Sequence, residues 1–229
     1  MSARLGAPRV HHRSTDSTSD RARALAQAGA PHGTLVTAGA QHAGRGRQGR
    51  SWSAPPGRAL LMSLVLRDWP ALLPIAGAVA VADVAGAQAT IKWPNDVLLD
   101  GRKLAGVLGE GRRQEGWAVL GIGLNVAVRR DDLPPELRDR AATLGLEPAQ
   151  IEATLDSLLR ALERRLAQPT AQLLADYRAR DALTGREVRW AHGVGIARGV
   201  DDSGRLLVEL ADATCTALDA GEVHLRRSA

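Results

Sequence analysis

The dipeptide Asp100-Gly101 is the strongest turn signal in the chain and the feature that most constrains its fold. A two-residue hairpin turn needs positive φ at both central positions, which Asp-Gly supplies readily. The segments on either side must therefore pair antiparallel. With Asp100 and Gly101 in the turn, Leu98 lies opposite Lys103 and Ala105 opposite Asp96. Asp96 and Lys103 then project from one face of the sheet. An acid and a lysine so placed can be a plain ion pair, worth about 0–1 kcal/mol when exposed.

The rest of the chain supplies the elements around this hairpin. Residues 8–18 are polar with weak alternation, as in an edge strand, and Ser19 is expected to cap a helix over 20–28 that ends at Gly29. Residues 34–37 and 59–66 read as buried strands, whereas 73–88, small and apolar throughout, read as a helix buried on most of its surface. Short strands follow at 90–93, 97–99, 103–111 and 117–128. Helical periodicity returns over 148–167 and 170–181, with Leu155, Leu158, Leu159, Leu162 and Leu166 on one face. Strands before and helices after imply an α+β domain. With no Phe and only 3% aromatic residues, its core must be built from Leu, Val, Ile and Ala.

Composition changes near residue 181. Residues 1–180 hold 24 basic and 17 acidic residues, and those from 181 onward hold 6 and 8. Short segments separated by Gly193, Gly195, Gly199, Asp202-Ser203-Gly204 and Asp219-Ala220-Gly221 suggest a small β-barrel. The expected domains are 1–181 and 182–229.

Several function classes drop out. The one cysteine, Cys215, cannot form an internal disulfide or a thiolate metal cluster, and is expected to be a small packing residue. The six histidines show no metal-ligand spacing, so no protein-held metal is expected. The most apolar stretch, 71–82, contains Pro74 and stops at Asp83, short of the roughly 20 residues a bilayer needs. A soluble, cytoplasmic protein is expected, with no membrane partner.

Of 30 basic residues only Lys92 and Lys103 are lysines, and both fall in one 12-residue window. Where an arginine fork would serve, this chain has used it, so these two positions are candidates for chemistry needing a compact ammonium. Upstream, Gly44-Arg45-Gly46-Arg47-Gln48-Gly49-Arg50 interleaves glycines, which let the backbone approach a ligand, with arginines that match phosphate. It lacks the Gly-Lys-Ser/Thr of a P-loop, and a solvated or RNA-contacting patch is its plain alternative. Gly121-Ile122-Gly123-Leu124-Asn125-Val126 lacks the third glycine of a dinucleotide fingerprint, so Asn125 is better read as a polar group aimed into a pocket. Trp52 and Trp93 flank the two motifs and could stack on a base.

Together, Gly44 through Trp52, Lys92-Trp93-Pro94-Asn95-Asp96, Arg102-Lys103-Leu104-Ala105-Gly106 and Gly121-Ile122-Gly123-Leu124-Asn125 resemble, in order and spacing, the motifs of biotin protein ligases. That resemblance implies a mixed sheet with flanking helices, a class II synthetase-like catalytic domain, followed by an SH3-like barrel. It also implies two half-reactions: biotin and MgATP give biotinyl-5′-AMP and pyrophosphate, then a lysine of a biotin carboxyl carrier domain takes the biotinyl group. By resemblance Lys103 and Arg45 would offset charge as carboxylate meets α-phosphate, and Asp96 would orient or deprotonate the acceptor lysine or help position Mg²⁺. Ser17, Thr18, Gln41, Gly44, Arg45, Lys103 and Gly106 would hold biotin; Arg47, Arg50, Trp52, Asn95 and Asn125 would serve ATP. Ser19 and His42 depart from residues common in the family.

Sixteen residues precede Ser17, too few for the helix-turn-helix of repressor members, so a ligase without specific DNA binding is expected. Deleting 182–229 is expected to harm transfer more than biotin binding. The glycine-rich loop is expected to be disordered until ligand orders it. A lipoyl-type acyl-adenylate ligase and a basic nucleic-acid-binding module stand as alternatives, and oligomeric state is left open.

Overall fold

The structure is a computed structural model, and it describes residues 4–219 and 223–225. Its centre is a seven-stranded mixed sheet. The strands are β1 (Arg9–His12), β2 (Leu35–Ala38), β5 (Ala59–Leu66), β6 (Thr90–Lys92), β7 (Asp96–Leu99), β8 (Arg102–Arg112) and β9 (Trp117–Asn125), while β3 (Gly44–Arg45) and β4 (Ser51–Trp52) form a separate two-stranded hairpin. The order is β1-β2-β5-β9-β8-β7-β6, with β1 parallel to β2 and every other pair antiparallel.

Both faces of this sheet are covered, which is why β5 is a continuous apolar run rather than an alternating one. On one face α1 (Thr18–Gln27) sets Ala22 and Ala26 against Val36, Val65 and Trp117. On the other, α2 (Leu73–Ala85), α3 (Ile151–Leu166) and α4 (Thr170–Arg178) cover Leu60, Met62, Leu64 and Leu120. Leu155, Leu158 and Leu162 of α3 are fully buried; Leu159 and Leu166 pack at the margin.

The hairpin forms where the turn residues place it: Asp100 has φ 50° and Gly101 φ 71°. Leu98 does face Lys103, but Asp96 faces Gly106 rather than Ala105. The register shifts between Val97 and Leu98, so that β8 carries one extra residue there, Leu104, which is buried in the core. Helix α1 also starts earlier than expected. Ser17, not Ser19, is the N-cap, and Ser19 turns inward and is buried.

A second, antiparallel sheet follows, made of β10 (Glu187–Trp190), β11 (Gly193–Val200), β12 (Leu206–Glu209), β13 (Cys215–Leu218) and β14 (His224–Leu225), in the order β13-β12-β11-β10-β14. Gly193, Gly195 and Gly199 do not separate strands; all three lie within β11, with a register break before Val200. Asp202-Ser203-Gly204 does form a turn, and Asp219-Ala220-Gly221 falls partly outside the described residues. Cys215 is exposed at the sheet edge, not a packing residue.

The two sheets share one apolar cluster, in which Val188, Ala197, Leu206 and Val208 join Ile91, Trp93 and the α2 residues. Trp93, 2% exposed, donates its indole N–H to Gly204 O at 3.0 Å. Trp93 is therefore a joint between the two units and cannot stack on a base. Removing 182–229 would leave the Ile91, Trp93 and α2 side of this shared core uncovered.

Candidate active site

The site is a cavity of about 590 Å³ over the β8–β9 pair. Gly106 and Gly123 face one another on these strands, and the Trp52 indole of the β3–β4 hairpin lies across both. A Cβ at Gly123 would come within 2.4 Å of Trp52 Cε2, and one at Gly106 within 3.2 Å of Trp52 Cζ3. Glycine is required here because an aromatic ring occupies the side-chain position. Trp52 Nε1 is buried with no hydrogen-bond partner among the described residues. Lys103 Nζ stands 5.7 Å from the same ring and 2.7 Å from Asp96 Oδ1.

The N-terminus of α1 builds a polar wall. Gln41 Oε1 accepts from Thr18 N at 2.6 Å and from Thr18 Oγ1 at 2.9 Å. Ser63 donates to Thr18 Oγ1 at 2.9 Å and lies 3.1 Å from Ser19 Oγ. Ser17 Oγ accepts from Asp20 N at 3.4 Å and so caps the helix. These buried hydroxyls are bonded to one another, so their orientations are set in advance.

The cavity also has a cationic lining. Arg47, Arg50, Lys92, Lys103 and Arg140 line it. Arg47 Nη1 donates to Asn95 Oδ1 at 3.3 Å, and Asn95 Nδ2 donates to Val107 O, which fixes the amide's orientation. Asn125, 5% exposed, donates from Nδ2 to Ala142 O at 2.9 Å. Lys103 in turn holds the same segment through its backbone, its N–H donating to Arg140 O and its carbonyl accepting from Ala142 N, both at 2.8 Å. Asn125 and Lys103 thus pin residues 140–142 along the cavity.

Arg45 behaves differently from the expectation. Its guanidinium is held by Asp20 and Glu110, at 2.8 and 3.2 Å. The hydrogen bond to Asp20 raises its pKa, burial opposes this, and Glu110 adds to the rise. Two carboxylates thus hold this cation against α1 and β8.

Of the residues singled out from sequence, Thr18, Gln41, Arg45, Arg47, Arg50, Trp52, Asn95, Asp96, Lys103, Gly106 and Asn125 do line one cavity. Ser17 and Gly44 do not. Ser17 is occupied as a cap, and Gly44 lies behind the wall, where a Cβ would meet Trp52 O at 2.4 Å. Sequence reasoning missed Leu133, Leu137, Arg140 and His224, which line the cavity from irregular or distant segments, and Ser63, which does not line it but holds Thr18 and whose polarity inside an otherwise apolar strand was a usable signal.

Comparison with known proteins agrees with this geometry. Residues 11–126 match the Biotin/lipoate A/B protein ligase family, and residues 184–226 match the Biotin protein ligase C terminal domain. A Mycobacterium tuberculosis protein named biotin--[acetyl-CoA-carboxylase] ligase is 37% identical over 234 residues, covering 93% of this chain and 87% of its own. The bifunctional ligase/repressor BirA of Bacillus subtilis is 36% identical over 228 residues, 90% of this chain and 70% of its own. Among solved structures, the biotin protein ligase from Aquifex aeolicus in complex with biotin and ATP superposes with a TM-score of 0.76 at 26% identity, covering 96% of this chain and 99% of its own. The chain belongs to the biotin/lipoate A/B protein ligase family. Its C-terminal unit places it among the biotin protein ligases of that family.

Proposed function

We propose that the chain activates biotin with ATP and transfers the biotinyl group to a lysine of a biotin carboxyl carrier domain. The observation that carries this reading is the juxtaposition, in one cavity, of a prearranged polar wall (Thr18, Gln41) and cations (Arg47, Arg50), together with Lys103 of β8. A ureido ring needs fixed donors and acceptors; a triphosphate needs cations. In the first step a biotin carboxylate oxygen attacks the α-phosphorus, the bond to the bridging oxygen breaks, and pyrophosphate leaves. Two anions meet, so Lys103 offsets the charge that develops.

Arg47, Arg50, Asn95 and Trp52 serve the nucleotide. Asn125 acts on it indirectly, by holding residues 140–142. Magnesium arrives with the ATP phosphates. Among the described residues no three His, Cys, Asp or Glu side chains cluster to hold a metal, and Asp96 and Asp139 are the carboxylates on the cavity wall that such an ion would meet.

In the second step the acceptor amine attacks the acyl carbon, AMP leaves, and the amine's proton goes to Asp96, which also orients the lysine. Residues 1–181 form the catalytic domain and 182–229 an SH3-like unit that completes the wall with His224. No helix among the described residues is long and apolar enough to cross a membrane. ATP chemistry suits a cytoplasmic enzyme. Biotin-dependent ATP–pyrophosphate exchange tests the proposal. Exchange with biotin and none with lipoate is expected; exchange with lipoate alone would make it a lipoyl-type ligase.

A further inference from the structure

The β3–β4 hairpin lines the cavity and joins neither larger sheet. A two-stranded ribbon is marginal by itself, so its seat depends on contacts elsewhere. Trp52 over the two glycines supplies one. The other is a closed ring of charges. Arg45 reaches Asp20 Oδ1 at 2.8 Å and Glu110 Oε1 at 3.2 Å, and Arg23 reaches the same two carboxylates at 3.2 and 3.0 Å. The ring joins three elements of the cavity: the hairpin, α1 with its Thr18–Gln41 wall, and β8 with Lys103.

We propose that Arg45 is a positioning residue, and that with Asp20, Glu110 and Arg23 it forms an ionic latch that fastens the hairpin over the cavity. The inference rests on the ligase reading above. A mixed anhydride open to water hydrolyses, so the hairpin must stay shut after adenylation. It must also reopen for the carrier lysine. Side chains 24–46% exposed make a latch weak enough to do both, and one that salt screens.

The test uses the full chain with biotin and ATP and no carrier. Release of AMP measures leakage of the adenylate, and tryptic cleavage after Arg47 or Arg50 measures opening. Asp20→Asn and Glu110→Gln should raise leakage about three- to tenfold and speed cleavage, while keeping pyrophosphate exchange within about twofold of the wild type. Arg45→Ala should match them in leakage. Added NaCl should raise wild-type leakage toward the variants' level and change theirs little. If Arg45→Ala alone loses exchange about a hundredfold, while Asp20→Asn and Glu110→Gln leak no more than the wild type, Arg45 is a transition-state cation and the latch is wrong. Cleavage unchanged in all three variants would also overturn it. That readout needs no turnover, so it separates failure of the latch from failure of the ligase reading.

Discussion

Lys103 Nζ lies 2.7 Å from Asp96 Oδ1, although the extra residue in β8 removes Asp96 from the position a regular hairpin would give it. The ammonium therefore stands between its carboxylate partner and the Trp52 ring, 5.7 Å away. Side-chain exposures of 39% for Lys103 and 22% for Asp96 leave both within reach of a bound substrate. Such a pair adds little to stability.

Asp96→Asn should separate the half-reactions. The amide still hydrogen-bonds but accepts no proton, so transfer from preformed biotinyl-5′-AMP to a carrier domain should slow by about 10² or more. Pyrophosphate exchange should fall by less than about tenfold. An equal fall in both would show that Asp96 serves adenylation instead.

Gly123→Ala tests the Trp52 seat. The new methyl would need the space 2.4–2.8 Å from the indole, so the ring must move. The fold should survive, because the strain falls on a hairpin outside the main sheets. KM for ATP should rise about three- to tenfold, with biotin affinity changed less. Unchanged KM for ATP would remove Trp52 from the nucleotide's surroundings.

Trp93→Phe should lose the hydrogen bond to Gly204 O and keep most of the apolar contact. A cost of about 0.5–1.5 kcal/mol, or a few °C in melting temperature, is expected. KM for ATP should not move. A raised KM with unchanged stability would return Trp93 to the base-stacking role its sequence position suggested.

Local rules made much of this fold legible. Asp100-Gly101 announced its turn because few residues tolerate two successive positive φ values, and β5 announced itself because a strand covered on both faces shows an unbroken apolar run. What was hidden depended on partners distant in sequence. The β8 bulge follows from Leu104 seeking the core, which no turn rule encodes. The cap fell on Ser17 because Thr18 and Ser19 had hydroxyl partners at Gln41 and Ser63 to turn toward. For the site, glycine spacing and the two lysines located the cavity, yet Arg45's partners lie 25 and 65 residues away and nothing in its motif predicts them. Arg140 comes from a segment with no periodicity and is brought in by backbone bonds to Lys103.

Under the function proposed, Lys103 stabilises the transition state of biotin adenylation. Single-turnover formation of biotinyl-5′-AMP by the wild type, Lys103→Ala and Lys103→Arg tests it most directly, with folding checked by circular dichroism. Loss of one preorganised cation should slow Lys103→Ala by about 10²–10³, and Lys103→Arg should not restore the rate, since a planar fork differs in size and reach from an ammonium. Adenylate formation within about threefold of the wild type in a folded Lys103→Ala would contradict the account.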